Sequence, residues 1–156
     1  MERKIRILII GDDADIQIYL STLLHTNGFD PLVARTGAQG FRTAQAKKPE
    51  LIILDMMMQN EAAFNVYRNL KVHRQLRQIP VMMVSAIDSK TFFHYQKVRL
   101  LEPGREIPEP EAYMERPPEA EDFIRHVKQW VTLPDSKSRS GNRRYSGKPD
   151  RKMRNP

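Results

Sequence analysis

Apolar residues fall in four runs of strand length between residues 1 and 133. The first, 5–10, ends at Gly11. A shorter and weaker one follows at 31–34. Residues 51–54, after Lys48-Pro49-Glu50, and 81–84, after Pro80, are continuous. Continuous rather than alternating apolar residues predict strands buried on both faces, as in a parallel sheet covered by helices. Between the runs the period changes. Ile16, Tyr19, Leu20, Leu23 and Leu24 recur at helical steps and stop at Gly28, and Phe64, Tyr67, Leu70 and Lys71 continue the pattern in a later helix. Phe123, Ile124, Val127, Trp130 and Val131 form the stripe of a last one, and Asp15, Thr36 and Ser89 sit where helix caps are expected. Strand and helix alternate throughout, which predicts an open, doubly wound α/β sheet.

The rhythm breaks between Lys90 and Pro118. Residues 91–101 can be helical. Residues 102–111 hold three prolines and a glycine and read as an extended or turn-rich loop. Ala112-Tyr113-Met114 is then a short last strand, and Arg116-Pro117-Pro118 turns into the final helix.

Composition changes this picture at one end of the chain. Of 156 residues, 26 are Lys or Arg and 19 are Asp or Glu, a net +7, yet nearly all of the excess lies beyond residue 133. Lys137, Arg139, Arg143, Arg144, Lys148, Arg151, Lys152 and Arg154 are opposed there only by Asp135 and Asp150. With few apolar residues to bury, 134–156 is expected to be a disordered basic tail following a single domain at 1–133. Such a tail gives a weak indication of salt-sensitive binding to nucleic acid or another anionic partner. The absence of cysteine excludes disulfides and thiolate metal sites. No apolar run approaches the ~20 residues of a membrane span. The expectation is a soluble cytoplasmic protein.

In open α/β sheets functional groups collect at the carboxyl ends of strands. Those ends carry Asp12 and Asp13 after the first strand, Asp55 after the third, Ser85 after the fourth and Arg116 after the fifth. Three carboxylates in one crevice repel one another unless a cation neutralises them, and an all-oxygen set without Cys or paired His suits Mg²⁺. Ser85 and Arg116 on the opposite rim would then face phosphoryl oxygens. This ensemble stabilises charge on a transferring phosphoryl group, with Asp55 as candidate nucleophile.

The segments Gly11-Asp12-Asp13-Ala14, Leu51-Ile52-Ile53-Leu54-Asp55-Met56-Met57-Met58 and Val81-Met82-Met83-Val84-Ser85-Ala86, in this order and spacing, resemble receiver (CheY-like) domains of two-component response regulators. The resemblance covers about residues 4–133. It implies a flavodoxin-like, doubly wound five-stranded parallel sheet in the order 2-1-3-4-5. It further implies that Asp55 accepts a phosphoryl group from a sensor histidine kinase or phosphotransfer protein, in a domain that assists its own phosphorylation and dephosphorylation without being a conventional enzyme. Asp13 and Asp55 would bind Mg²⁺ directly with the Met57 backbone carbonyl, and Asp12 through water. Ser85 matches the hydroxyl that moves to the phosphoryl group, Arg116 stands in the place of the phosphate-contacting lysine, and Tyr113 matches the aromatic switch. The output would pass to a downstream protein target, with a homodimer through the face of the 91–101 helix, the last strand and the final helix.

Several positions depart from the family pattern. Lys-Pro after the fifth strand is Arg116-Pro117, and a planar guanidinium is not interchangeable with an ammonium. The Pro usual four residues after the acceptor is Gln59, and a Gly further along that loop is Ala63. Ser85 and Arg116 lie 31 positions apart, about nine more than usual, a length typical of functional or disordered loops. These departures favour an alternative, a phosphorylation-independent pseudo-receiver serving as a protein- or nucleic-acid-binding scaffold. The intact Asp12, Asp13, Asp55 and Ser85 oppose it. A phosphohydrolase with an aspartyl nucleophile fits less well, because Met57 occupies the place where such enzymes commonly show an acid/base Asp.

Overall fold

The computed structural model describes residues 3–91 and 108–131. The tail at 134–156, the helix expected over 91–101 beyond Thr91, and the 102–107 half of the expected loop lie outside the described residues.

The strands are β1 (Arg6–Ile10), β2 (Asp30–Ala34), β3 (Leu51–Asp55), β4 (Val81–Ser85) and β5 (Ala112–Glu115). All pair in parallel, in the order β2-β1-β3-β4-β5. The helices are α1 (Ala14–Thr26), α2 (Gly37–Lys47), α3 (Ala63–Val72) and α4 (Ala120–Trp130). Alternate strand residues serve opposite faces. Ile7, Ile9, Leu51, Ile53, Met82 and Val84 pack with Ile16, Leu20 and Leu24 of α1 and Phe123 and Val127 of α4. Leu8, Ile10, Ile52, Leu54, Val81 and Met83 pack with Ala44 of α2 and Val66, Tyr67 and Leu70 of α3. Burial on both faces is why these strands read as unbroken apolar runs. Among the described residues no helix is long and apolar enough to cross a membrane.

Local chemistry fixes the helix ends. Asp13 caps α1, its Oδ1 accepting the Asp15 N–H at 2.9 Å and the Ile16 N–H at 3.3 Å, so the cap expected of Asp15 belongs to its neighbour two residues earlier. Gly28, at φ +90°, ends α1: its N–H meets the His25 carbonyl while the Phe29 N–H reaches back to Leu24. Thr36 caps α2 as expected. At the third candidate cap, Asp88 rather than Ser89 accepts the Thr91 N–H, at 2.9 Å. Tyr19, read as part of the apolar stripe, is 36% exposed, and its hydroxyl donates to the Pro118 carbonyl. The buried place beside Ile16 belongs to Gln17, whose amide donates to the carbonyls of Gly11 and Ala34.

The described part of the Pro/Glu loop is pinned to α3. The buried Lys71 ammonium lies 3.3 Å from Glu111 Oε1 and also donates to the carbonyls of Arg77 and Ile79. Glu111 accepts the Val81 N–H at 2.7 Å, and the Tyr67 hydroxyl donates to the Pro108 carbonyl. These contacts deliver the chain into β5 at the register Met82↔Ala112 through Ser85↔Glu115.

Candidate functional site

Strand order reverses at β1, so helices diverge to either face and a crevice opens between the carboxyl ends of β1 and β3. Gly11 makes the approach possible there. A Cβ at this position would stand 2.8 Å from Asp55 Cβ, closer than side-chain carbons tolerate. Gln17 braces the same corner by tying the Gly11 and Ala34 carbonyls together. No apolar period or charge marks Gln17 in the sequence; only its polarity at a helical core position could have drawn notice.

Each carboxylate that follows has a defined partner. Asp13 spends Oδ1 on the α1 cap and turns Oδ2 to Arg116 Nη2, 2.6 Å away. Asp55, only 3% exposed, accepts the Met57 N–H on Oδ1 at 2.9 Å and Arg116 Nη1 at 3.2 Å on Oδ1 and 3.0 Å on Oδ2. One guanidinium therefore bridges the carboxylate at the start of α1 and the one at the end of β3. Asp12 faces another way, its Oδ2 accepting the Gln59 N–H at 3.0 Å. The two carboxyls bound to Arg116 shift oppositely. Arg116 holds Asp13 below the usual carboxylate range by hydrogen bonding. Burial pushes Asp55 up, against the pull of the Met57 N–H and of Arg116. Burial works against the Arg116 charge, but its two carboxylate partners outweigh it and hold the guanidinium's pKa above its ordinary value.

Ser85 is fully buried at the end of β4. Its Oγ accepts the Ile87 N–H at 3.1 Å and donates to Met57 Sδ at 3.5 Å, a weak acceptor. Tyr113 lies on β5 and is half-buried. Its hydroxyl donates to the Ile87 carbonyl, and burial raises its pKa. Asp12, Asp13, Met57 and Arg116 line one open cleft of about 380 Å³ with Gln59, Asn60 and Ala86. A larger hollow of about 1030 Å³ between α2 and α3 shares none of these residues.

The donor set suits a hard cation: two carboxylates, one after β1 and one at the end of β3, converge on one positive charge, and no thiolate or imidazole is among the cleft residues. In the arrangement described, that charge is the guanidinium. Among the described residues no group of three acidic or imidazole side chains is gathered closely enough to hold a metal ion.

A family model described as "Response regulator receiver domain" matches residues 7–99, more than half of the chain. The chain belongs to this family. Receiver domains are signalling domains, and curated relatives are similar in sequence. Over 99 residues the chain is 30% identical to the alkaline phosphatase synthesis transcriptional regulatory protein PhoP of Bacillus subtilis, a match covering 64% of this chain and 39% of PhoP. It is 32% identical over 86 residues to Protein PilH of Pseudomonas aeruginosa, covering 55% of this chain and 71% of PilH. Over 123 residues it is 28% identical to the phosphate regulon transcriptional regulatory protein PhoB of Escherichia coli, covering 79% of this chain and 50% of PhoB. The chain thus spans half or less of the length of the two transcriptional regulators. The chemotaxis response regulator CheY4 of Vibrio cholerae superposes with a TM-score of 0.69 over 83% of this chain and 100% of that chain, at 17% identity, and shares the fold.

Proposed function

We propose that this receiver domain accepts a phosphoryl group on Asp55 from a phosphohistidine of a sensor kinase or phosphotransfer protein. The observation that supports this most is Asp55 itself. It is a nearly buried carboxylate at the carboxyl end of β3, beside an open cleft, bonded to an Arg116 guanidinium that also holds Asp13. A bond forms from an Asp55 oxygen to phosphorus as the phosphorus–nitrogen bond breaks. The imidazole keeps that electron pair and takes a proton from solvent. Asp13 and Asp55, with the Met57 carbonyl, are the residues to hold Mg²⁺, with Asp12 acting through water. When bound, the ion supplies positive charge against the phosphoryl oxygens.

The chain's own groups then have clear tasks. Arg116 already reaches both carboxylates, so a small turn of its fork brings donors to a phosphoryl oxygen. The Ser85 hydroxyl donates only to a thioether, and a phosphoryl oxygen is the better acceptor. Since the Ser85 Oγ accepts the Ile87 N–H and the Tyr113 hydroxyl holds the Ile87 carbonyl, movement of Ser85 reaches the β4–β5 edge through Ile87. The added charge of about −2 biases an equilibrium between two arrangements of this edge, which a downstream protein reads. A homodimer through that edge and α4 is one form such a reader can take.

Beryllofluoride, which mimics the phosphoryl group, tests this in solution. With Mg²⁺ it is expected to shift the amide signals of Asp55, Ser85, Ile87 and Tyr113 together. Shifts confined to the surface, or none, would count against both acceptor and switch. One observation favours the scaffold alternative: Arg116 is paired with both Asp13 and Asp55. On that alternative the same signals stay still at saturating beryllofluoride.

A further inference from the structure

Two of the departures from the family pattern meet in the same cleft. Arg116 stands where the resemblance implies a lysine, and Gln59 where it implies a proline. The guanidinium has enough donors to hold two carboxylates at once, and it does so, at 2.6 Å from Asp13 and 3.0 Å from Asp55. A compact ammonium has no such fork. A proline at 59 would have no N–H to give, whereas the Gln59 N–H donates to Asp12 at 3.0 Å. Each of the three acidic side chains of the site is thereby engaged by a protein group, Asp13 and Asp55 by the Arg116 fork and Asp12 by the Gln59 N–H. The remaining Asp13 oxygen is committed to the α1 cap, and Asp55 Oδ1 also accepts the Met57 N–H.

From this juxtaposition we infer that Arg116 and the Gln59 backbone amide form an internal latch on the acidic cluster, which a divalent cation must displace before it can bind. Arg116 and Gln59 are thus positioning residues that set the cation affinity of the site. The consequence is weaker cation binding than the carboxylates alone would give, and a phosphoryl-accepting state that forms only when the guanidinium has swung from Asp13. A phosphoryl donor, whose oxygens offer Arg116 a new partner, and the cation therefore assist each other's entry. The inference rests on the phosphoryl-acceptor reading for its purpose but not for its test.

The test is a Mg²⁺ titration of the full chain, without any phosphodonor, followed by amide and arginine side-chain signals. In the wild type, Mg²⁺ is expected to move the Gln59 amide and the Arg116 guanidinium signals in step with those of Asp13 and Asp55. Arg116→Lys keeps the charge and removes the fork, and is expected to tighten Mg²⁺ binding about fivefold, the scale of a partly exposed ion pair. Arg116→Met, which removes the charge as well, is expected to tighten it by about tenfold or more. Gln59→Pro in the Arg116→Lys background is expected to add about threefold. If both Arg116 variants bind no tighter than the wild type, the latch is wrong. If Met tightens binding and Lys does not, net charge alone acts and the bridge is wrong. Should a variant lose its fold, the wild-type titration decides alone: saturation with the Gln59 and Arg116 signals unmoved overturns the inference. Tighter binding in the variants, together with failure of the wild type to accept phosphate, would leave the latch standing and remove the acceptor reading.

Discussion

At the scale of single residues, the cleft is governed by space as much as by charge. Gly11 is required because β1 and β3 bring its backbone against the Asp55 side chain. Gly11→Ala places a methyl 2.8 Å from Asp55 Cβ. It is expected to cost about 1–3 kcal/mol in urea denaturation, the usual scale of overpacking. Charge has its own signature in Asp55. Burial raises its pKa in the folded state. Ionised Asp55 therefore costs stability above that folded value and costs nothing below the ordinary aspartate range, where it is protonated in both states. Asp55→Asn should then raise the denaturation midpoint at pH 7, with the gain fading as pH falls from the raised folded value to the ordinary aspartate value. An equal gain at acid and neutral pH would show that burial of the charge is not the cause.

At the scale of elements, strand and helix positions follow from patterns that the chain displays openly. The runs at 51–54 and 81–84 are continuous because β3 and β4 are buried on both faces. The positions of Asp55 and Ser85 at their ends were readable for the same reason. Less readable were contacts between groups far apart in sequence. Asp13 rather than Asp15 caps α1 because Asp13 leaves β1 in an extended conformation that lets its carboxylate turn back. Lys71, placed by period alone on an apolar stripe, is buried because Glu111 arrives from forty residues away. This pair predicts an asymmetry. Glu111→Ala removes the acceptor of the Val81 N–H and leaves the Lys71 ammonium buried with two carbonyls, an expected loss of about 2–4 kcal/mol. Lys71→Met leaves only the more exposed Glu111 without its partner, and should cost clearly less by the same denaturation measurement.

At the scale of the whole molecule, five parallel strands bring groups from residues 12 to 116 to one edge, and that edge carries the chemistry proposed for this receiver domain. The fold and its family were readable because several motifs occur in the right order. What the substitutions do was not, since neither Arg116 nor Gln59 reveals its partner from spacing. Only the folded edge shows one guanidinium on two carboxylates and one backbone amide on a third. The most direct measurement of the central claim is the intact mass of the full chain after incubation with acetyl phosphate and Mg²⁺, beside an Asp55→Ala control. A single phosphate adduct that needs Mg²⁺ and is absent from the control is the predicted result. No adduct at saturating Mg²⁺, or an adduct that persists in Asp55→Ala, would contradict the assignment of Asp55 as the acceptor.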